Sequence, residues 1–347
     1  MAVALDVSRR FTQSLSLAPQ PRLLLRSTNW SHQLHFAQVI ADCRAAIAQV
    51  LPEAPNEVLP PNMDEFWRTF AEKGLPRHLQ KAITTLLDSA AMSYVRSNPD
   101  VPRKTKQRLT SSASKNAGAW LNAVPTSPDL TLHDSEFIYA MRHRMGMKPH
   151  DDLPHECICH KSLDEDTAHF HSCQQLKSVV TVRHNRLVTM LAKVLRNAGA
   201  YVQVEYCPFG DNRSRPDLTV VLPEESYFMD VVVSHPAAPS RKSTEPLAVA
   251  RQAERDKVNT YGELARAHGS RILAFSVESY GAFGEHATEI IHIIRKALAL
   301  SQGGDFQSVN DQRLPQRLAV ALQKGNALVA RAGSMRVRQA QSRLVQH

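Results

Sequence analysis

The sequence predicts an α/β fold, and three observations support that class. Three β-branched runs, AYVQVE, DLTVVL and YFMDVVV, directly follow a helical segment at residues 176–198. A second helical segment at 246–268 precedes the strand-like run RILAFSV at 271–277. A last amphipathic helix is marked by apolar residues at helical spacing: Ile290, Ile291, Ile294 and Leu298. The predicted order is αβββαβα, preceded by a helical region and a cluster of Cys and His.

The charge balance indicates a polyanionic partner. The 347 residues contain 42 Lys and Arg against 33 Asp and Glu, a formal net charge of +9. No apolar run approaches the roughly 18 residues that a membrane span needs, so no membrane partner is expected. The chain has five cysteines, of which three lie between residues 157 and 173. This pattern argues against a secreted disulfide scaffold and for a metal site.

Residues 1–61 are predicted to form an N-terminal arm with a short helical segment. The helical stretch lies near residues 36–50, and the Pro-rich run LPEAPNEVLPPN closes the region. The first 30 residues carry four Arg against one Asp. That composition fits a flexible basic arm or, as a minor alternative, a mitochondrial transit peptide.

Residues 62–150 form the second predicted region, which is mainly helical. An amphipathic pattern predicts a helix at 76–96 that ends before Pro99. A second helix, SEFIYAMRHRMGM, is predicted to begin with a capping box formed by Thr131 and Asp134. Between the two, PDVPRKTKQRLTSSASK is predicted to be a basic loop, either a phosphate-contacting surface or a solvated linker. Its cations are Arg103, Lys104, Lys106 and Arg108.

Residues 151–175 contain the most specific motif, CICHKSLDEDTAHFHSC. Its spacing is C-x-C-x9-H-x3-C, and the four side chains that suit tetrahedral zinc are Cys157, Cys159, His169 and Cys173. A tight turn would bring the first two together, and a helix would align the last two on one face. Four protein ligands leave no open position, so we expect a structural zinc. The neighbouring histidines His155, His160 and His171 are substitute ligands, and unrelated thiols and surface histidines are the alternative.

Two acids interrupt strands that are otherwise suited to burial, within the predicted core of residues 176–302. A hairpin that turns at Pro223 and Glu224 would place Asp217 directly opposite Asp230. Their Cβ atoms would then lie about 5 Å apart on one face of the sheet. Two like charges at that distance repel unless a cation lies between them, and Mg²⁺ or Mn²⁺ meets that need. The alternative is a pair of exposed acids at a strand edge.

Three further residues extend this candidate site. Glu205 ends the preceding strand and would oppose Asp217 if the intervening loop centres on Asp211, which makes it a third potential ligand. Lys257 and Tyr261 lie one turn apart on the next helix, where a cation is needed beside the metal of a hydrolytic site. For Lys257 the alternative is a solvated helix lysine.

Residues 303–347 are predicted to be a basic C-terminal tail. From Gln312 onward this segment has seven Lys or Arg residues and no acid. It is either a solubilising tail or a nucleic-acid-binding extension.

Taken in order, these motifs resemble those of one known family. They are the Cys/His knuckle, the run Arg183-His184-Asn185, Pro216-Asp217, Asp230-Val231-Val232 and Lys257-x-x-x-Tyr261. The order is similar to the restriction-like endonuclease region of site-specific non-LTR retrotransposon polyproteins, the class that inserts into ribosomal RNA genes. The resemblance covers about residues 115 to 300.

The resemblance implies a PD-(D/E)xK core of order αβββαβ with Asp217, Asp230 and Lys257 in its active site. It also places Tyr261 in that site and Arg183 and His184 among the nucleic-acid-binding residues. The sequence departs from the family at three points. Thr260 stands where a second lysine is usual, Asn185 stands where Asp is common, and the Val-Val after Asp230 leaves out the nearby D-x-K lysine of ordinary restriction enzymes.

The first functional hypothesis is therefore a divalent-metal-dependent DNA endonuclease that acts in retrotransposon integration in the nucleus. DNA would be its partner, with element RNA and a reverse transcriptase encoded elsewhere as further partners, because no polymerase Y-x-D-D motif occurs in the chain. The second hypothesis is a non-cleaving nucleic-acid-binding remnant or domesticated retroelement protein. The third is an unrelated helical scaffold.

Overall fold

The computed structural model describes residues 79–205, 215–301 and 313–345, together with Gln38, Ala41, Asp42, Arg44, Ala45 and Ala48. Those six single residues are helical, in agreement with the helix predicted near 36–50. The basic arm and the Pro-rich boundary lie outside the described residues.

The chain divides into two compact units, Met1–Asp100 and Val101–His347. In the first unit, helix α1 spans Leu79–Ser97. It matches the helix predicted at 76–96 and ends before Pro99, because a proline disfavours helical geometry at the residue before it.

The second unit contains the candidate sites. Within the described residues its α-helices are α2 Arg103–Ala113, α3 Asp134–Met145, α4 Lys177–Asn197, α5 Ala248–Ala267, α6 Glu285–Ser301 and α7 Leu314–Val345. Its strands are β1 Tyr201–Val204, β2 Leu218–Val221, β3 Ser226–Ser234 and β4 Arg271–Glu278. The predicted order αβββαβα is confirmed from α4 to α6.

The four strands form one mixed sheet in the order β1-β2-β3-β4. Strands β1 and β3 both pair antiparallel with β2, whereas β3 and β4 are parallel. A parallel pair needs a crossover connection, and α5 supplies it. The fold is therefore mixed α/β and not purely helical.

The two faces of the sheet differ in chemistry. Side chains such as Met229, Val231 and Phe275 point to one face, where they share an apolar core with α4, α6 and α7. The alternate residues of β3 and β4, including Asp230 and Ser276, point towards α5. The polar residues of the candidate site therefore lie on the α5 side.

The basic segment after Pro102 is a helix, so the loop prediction is wrong. Helix α2 buries a polar side made of Gln107, Thr110, Ser111 and Ser112. The amide of Gln107 donates hydrogen bonds to two backbone carbonyls, those of Arg241 at 3.1 Å and Ser243 at 2.9 Å. A helix with a polar buried side has no hydrophobic periodicity, which is why the pattern did not indicate it.

Helix α3 begins at Asp134, but the predicted capping box is wrong. The carboxylate of Glu136 accepts a hydrogen bond from the His133 N–H at 3.0 Å, so the box lies two residues later than predicted. The Thr131 hydroxyl instead donates to the Ser127 carbonyl at 2.8 Å.

The described part of the predicted basic tail is helix α7, which belongs to the core. Leu318 and Leu322 are fully buried in the cluster that also contains the apolar side of α4. The seven cations predicted a solvated tail, but apolar residues at helical spacing lie between them and pack into the core. None of the described helices, α7 included, combines the length and the apolar character of a membrane span.

Candidate functional site

The Cys and His cluster is built from a hairpin and a short 3-10 turn. The Cys157 N–H donates to the Lys161 carbonyl at 2.9 Å, and the His160 N–H donates to the Cys157 carbonyl at 2.8 Å. His160 takes a left-handed conformation with φ of 60° to close this turn. His169 begins the 3-10 turn His169–His171, so the expected continuous helix through Cys173 is wrong.

The four predicted ligands converge. The ligand atoms of Cys157, Cys159, His169 and Cys173 all lie within 4.8 Å of one another. The Cys173 Sγ is 3.9 Å from that of Cys157 and 3.8 Å from that of Cys159, and His169 Nε2 is 3.1 Å from the Cys159 Sγ. Tetrahedral zinc with Zn–S bonds of about 2.3 Å separates its sulfur ligands by about 3.8 Å. The cluster therefore could hold a metal such as zinc.

The protonation chemistry of the cluster fits a divalent cation. Burial raises the pKa of the Cys157 thiol to about 12 and also raises that of Cys173. Burial lowers the pKa of His169, which favours the neutral imidazole that binds metals. A bound cation would stabilise the thiolates, so we expect metal binding to release protons.

The three substitute histidines do not join the cluster. His155 pairs with Asp164, and the His160 ring lies 3.9 Å from the carboxylate of Glu156. His171 points into the interior, where its Nε2 lies 2.8 Å from the Tyr139 hydroxyl.

The second candidate site is the acid pair, defined here as Asp217 and Asp230. The hairpin register pairs Leu218 with Met229, as the predicted opposition of the two acids requires. Asp217 lies one residue before β2, and its Oδ2 accepts a hydrogen bond from the Val231 N–H at 2.7 Å. Asp230 is buried within β3, with only 4% of its surface exposed. The exposed-edge alternative is therefore wrong for Asp230.

Lys257 contacts the acid pair from α5. Its ammonium group forms an ion pair with Asp230 and lies 5.6 Å from the ring centre of Tyr261, one turn further along the helix. Burial acts to lower the pKa of Lys257, but the bond to Asp230 outweighs it and raises that pKa. Lys257 is therefore a charged member of the site, and the solvated-lysine alternative is wrong.

His184 is the member of this site that sequence reasoning assigned to another role. Its Nε2 lies 3.0 Å from the Asp217 Oδ2. The hydrogen bond to Asp217 raises the pKa of His184 to about 9, against the effect of partial burial, so the ring is protonated at neutral pH and donates. Nothing in the sequence indicated this contact, because His184 and Asp217 are 33 residues apart in the chain and meet only in the folded structure.

The two acids differ in their electrostatics. Burial would raise the pKa of Asp217, but the hydrogen bond and charge of His184 and the Val231 N–H hold it below its ordinary value. Burial and the neighbouring charge of Asp217 raise the pKa of Asp230, although Lys257 opposes them. A cation between the carboxylates would relieve this repulsion, and their oxygen ligands suit Mg²⁺ or Mn²⁺, which keep several waters.

The backbone of Glu205 is hydrogen-bonded to that of Asp217, but the Glu205 side chain contacts Arg215. The Glu205 N–H donates to the Asp217 carbonyl at 2.8 Å, which is the predicted register. Its carboxylate lies 3.3 Å from the guanidinium of Arg215. Glu205 also has a φ of 53°, which breaks the regular alternation of side chains at the end of β1. Among the described residues the three acids do not converge as closely as the Cys3His ligands do.

Arg183 lies in the interior, so its predicted contact with nucleic acid is wrong. Its side chain is only 1% exposed. Its guanidinium lies 2.8 Å from His171 Nδ1 and donates to the side-chain Oδ1 of Asn326 at 3.1 Å. The Asn326 amide in turn donates to the Ser279 carbonyl at 2.8 Å. Arg183 thus joins the Cys3His segment, α4, α7 and the end of β4.

The predicted cations of α2 are only partly available to a ligand. Lys104 forms an ion pair with Asp166 at 3.0 Å, and Arg108 donates to the Arg144 carbonyl at 2.7 Å. Lys106 is half-buried, and Arg103 is exposed.

Comparison with known proteins adds no assignment. No protein-family model matches this chain, and no curated protein matches it either.

Proposed function

We propose that the chain is a divalent-metal-dependent DNA endonuclease with a PD-(D/E)xK core. The observation that carries the proposal is the meeting of Asp217, Asp230 and Lys257 at one place on the sheet. The hairpin register and the crossover helix α5 bring them together although they are far apart in sequence. The motif order of the retrotransposon endonucleases supports the same assignment.

The residues of the site would divide the work of phosphodiester hydrolysis. Asp217 and Asp230 would hold Mg²⁺ or Mn²⁺, which when bound lowers the pKa of a water and neutralises the scissile phosphate. His184 would fix the orientation of Asp217 through its hydrogen bond. Lys257 would stabilise the negative charge that develops on the phosphate.

The Cys3His cluster fits a supporting role in this proposal. We propose that it holds a structural zinc knuckle and that the partners are DNA and, in a retroelement, RNA and a reverse transcriptase. The site of action would then be the nucleus.

A second function, a non-cleaving nucleic-acid-binding protein, is favoured by one structural observation and by two departures from the family's motifs. The Lys257 ammonium already neutralises Asp230, the acid that a catalytic metal would need. Thr260 and Asn185 also replace residues that are usual in the family.

A nicking assay with supercoiled plasmid and Mg²⁺ or Mn²⁺ tests the proposal. Asp217→Asn and Asp230→Asn should each reduce cleavage at least about 100-fold, because each replaces a charged metal ligand with a neutral side chain of the same size. Asp256→Asn is the matched control, since Asp256 is an exposed acid on α5 next to Lys257. No cleavage by the wild-type protein with either metal would reject the endonuclease and favour the non-cleaving protein.

A further inference from the structure

A trough of about 1120 Å³ runs between α3 and α7, away from the acid pair and the Cys3His cluster. Its cations are Arg142, Arg186, Lys324, Arg331 and Arg338. Its acids are Glu136, Asp151 and Asp152. Two smaller depressions share Arg186 with the trough and extend it along α4. The trough therefore has an excess of positive charge.

The cations of α7 in this trough follow a regular spacing. Lys324, Arg331 and Arg338 are seven residues apart, which is about two helical turns or 10.5 Å. They form a row about 21 Å long on one side of the helix, while the apolar side packs on α4. Helix α7 contains no acid over its whole length. This arrangement is typical of a surface that binds a polyanion.

The acids of the trough are already engaged, and most of them lie towards one end. Asp151 pairs with Arg142, and Asp152 pairs with Arg338 at 2.9 Å. The Glu136 carboxylate accepts a hydrogen bond from the His133 N–H at the start of α3.

The central cations are the ones available to a ligand. Arg186 and Arg331 are exposed, and no ion pair or hydrogen bond within the described ranges engages them. Lys324 donates one hydrogen bond, to the Pro128 carbonyl at 2.9 Å, so its ammonium has further donors. The middle of the trough is therefore basic and open.

We propose that this trough binds the phosphate backbone of a DNA duplex, an inference that rests on the proposed endonuclease function. A duplex advances about 3.4 Å per base pair, so the 21 Å row spans about six base pairs. The walls offer no exposed Trp, Tyr or Phe on which unpaired bases could stack, which favours a duplex over a single strand. Arg186 lies on α4, the helix that also carries His184 of the acid-pair site.

A binding assay on the full-length, zinc-loaded protein tests the trough. We would measure fluorescence anisotropy of a labelled 30-base-pair DNA duplex in EDTA-free buffer with Ca²⁺, over a series of salt concentrations. The double variant Arg186→Ala/Arg331→Ala should weaken binding about 10-fold or more and reduce the slope of log K against log salt by about 1.8, since each phosphate contact contributes about 0.9.

The matched control is Arg266→Ala/Arg343→Ala, which removes the same charge from exposed positions outside the trough. It should change affinity less than about 2-fold. Deletion of α7 is unsuitable, because it would expose the core. Equal losses of DNA affinity in the two double variants would overturn the proposal that the trough binds DNA. An unchanged slope of log K against log salt in Arg186→Ala/Arg331→Ala would also overturn it.

Competition experiments distinguish the polyanions that the trough could bind. Unlabelled duplex DNA should displace the probe in the wild-type protein more strongly than single-stranded DNA, RNA of the same sequence or polyglutamate. Preference for any of these three would overturn the choice of a DNA duplex. Absent cleavage with trough-dependent binding would reject the endonuclease alone, whereas cleavage with equal binding by both double variants would reject the trough alone.

Discussion

The Cys3His cluster and the acid pair are two candidate metal sites of opposite construction. The cluster takes all four ligands from a short segment, Cys157 to Cys173, and its soft ligands enclose one position. The acid pair takes its contacts from separate elements, with His184 on α4, Asp217 just before β2, Asp230 on β3 and Lys257 on α5. A closed site whose ligands come from one short segment suits a structural metal, whereas an open site whose ligands are distant in sequence suits a catalytic metal.

The two sites also differ in the protonation and charge of their ligands in the absence of metal. In the cluster, burial raises the pKa values of the Cys157 and Cys173 thiols and so favours their protonated form. The acid pair is already partly compensated by His184 and Lys257. Metal binding should therefore be tight and proton-coupled at the cluster and weak at the acid pair.

The largest expected effect is the loss of zinc. Cys173→Ser should reduce bound metal from about one zinc per chain to near zero and lower the thermal midpoint by about 10 °C, because the closed site loses a ligand. Native mass spectrometry and thermal unfolding check both values. His155→Ala is the control, since that histidine lies outside the cluster and should leave both unchanged. Full zinc content in Cys173→Ser would remove Cys173 from the ligand set.

The acid pair should respond to loss of its own cation. Lys257→Met should slow Mg²⁺-dependent cleavage about 100-fold, because no cation then stabilises the developing charge. It should at the same time increase Mn²⁺ affinity several-fold, since Lys257 no longer competes for Asp230. Plasmid nicking and isothermal titration with Mn²⁺ measure the two effects. A decrease in Mn²⁺ affinity would show that the lysine supports the metal site instead of competing with it.

The packing of α7 on the cluster predicts a contrast between two glycines. A Cβ at Gly333 would lie 2.6 Å from the Phe170 ring, so Gly333→Ala should destabilise the fold by about 1–3 kcal/mol. At Gly262 on α5 the corresponding distance is 3.7 Å to the Val258 side chain. Gly262→Ala should stabilise by up to about 1 kcal/mol, because alanine favours a helix. Urea unfolding measures both, and equal effects would contradict the α7 packing.

The smallest effect concerns pH. Burial, together with nearby Arg183, lowers the pKa of His143 to about 3, so between about pH 3 and 6.5 the unfolded chain binds a proton that the folded chain does not. The free energy of unfolding should therefore fall as pH decreases through this range, by at most about 1.4 kcal/mol per pH unit from this residue. His143→Gln should make the slope shallower, whereas the exposed His292→Gln should not. Urea unfolding at pH 7.5, 6.5 and 5.5 measures the slopes.

Local patterns predicted well what depends on neighbours in sequence. The strands, the crossover helix, the hairpin register of Asp217 and Asp230 and the Cys3His ligands follow from alternation, turn position and spacing. The predicted division of the second unit at residues 150, 175 and 302 stays a prediction.

What the sequence could not reveal depends on burial of polar groups. Helix α2 buries polar side chains, and Arg183 is a buried cation that forms no ion pair with a carboxylate among the described residues. Both depend on a tertiary arrangement that no local periodicity encodes. The contact of His184 with Asp217 was missed for the same reason.

The place of α7 in the chain has a consequence for synthesis. Val329 and Val337 of this helix pack on Leu176 and Phe170, residues that leave the ribosome much earlier. At roughly 5 to 20 residues per second, translation takes on the order of ten seconds to pass from one region to the other. During that interval the nascent Cys3His segment lacks the apolar cover that α7 provides in the folded structure.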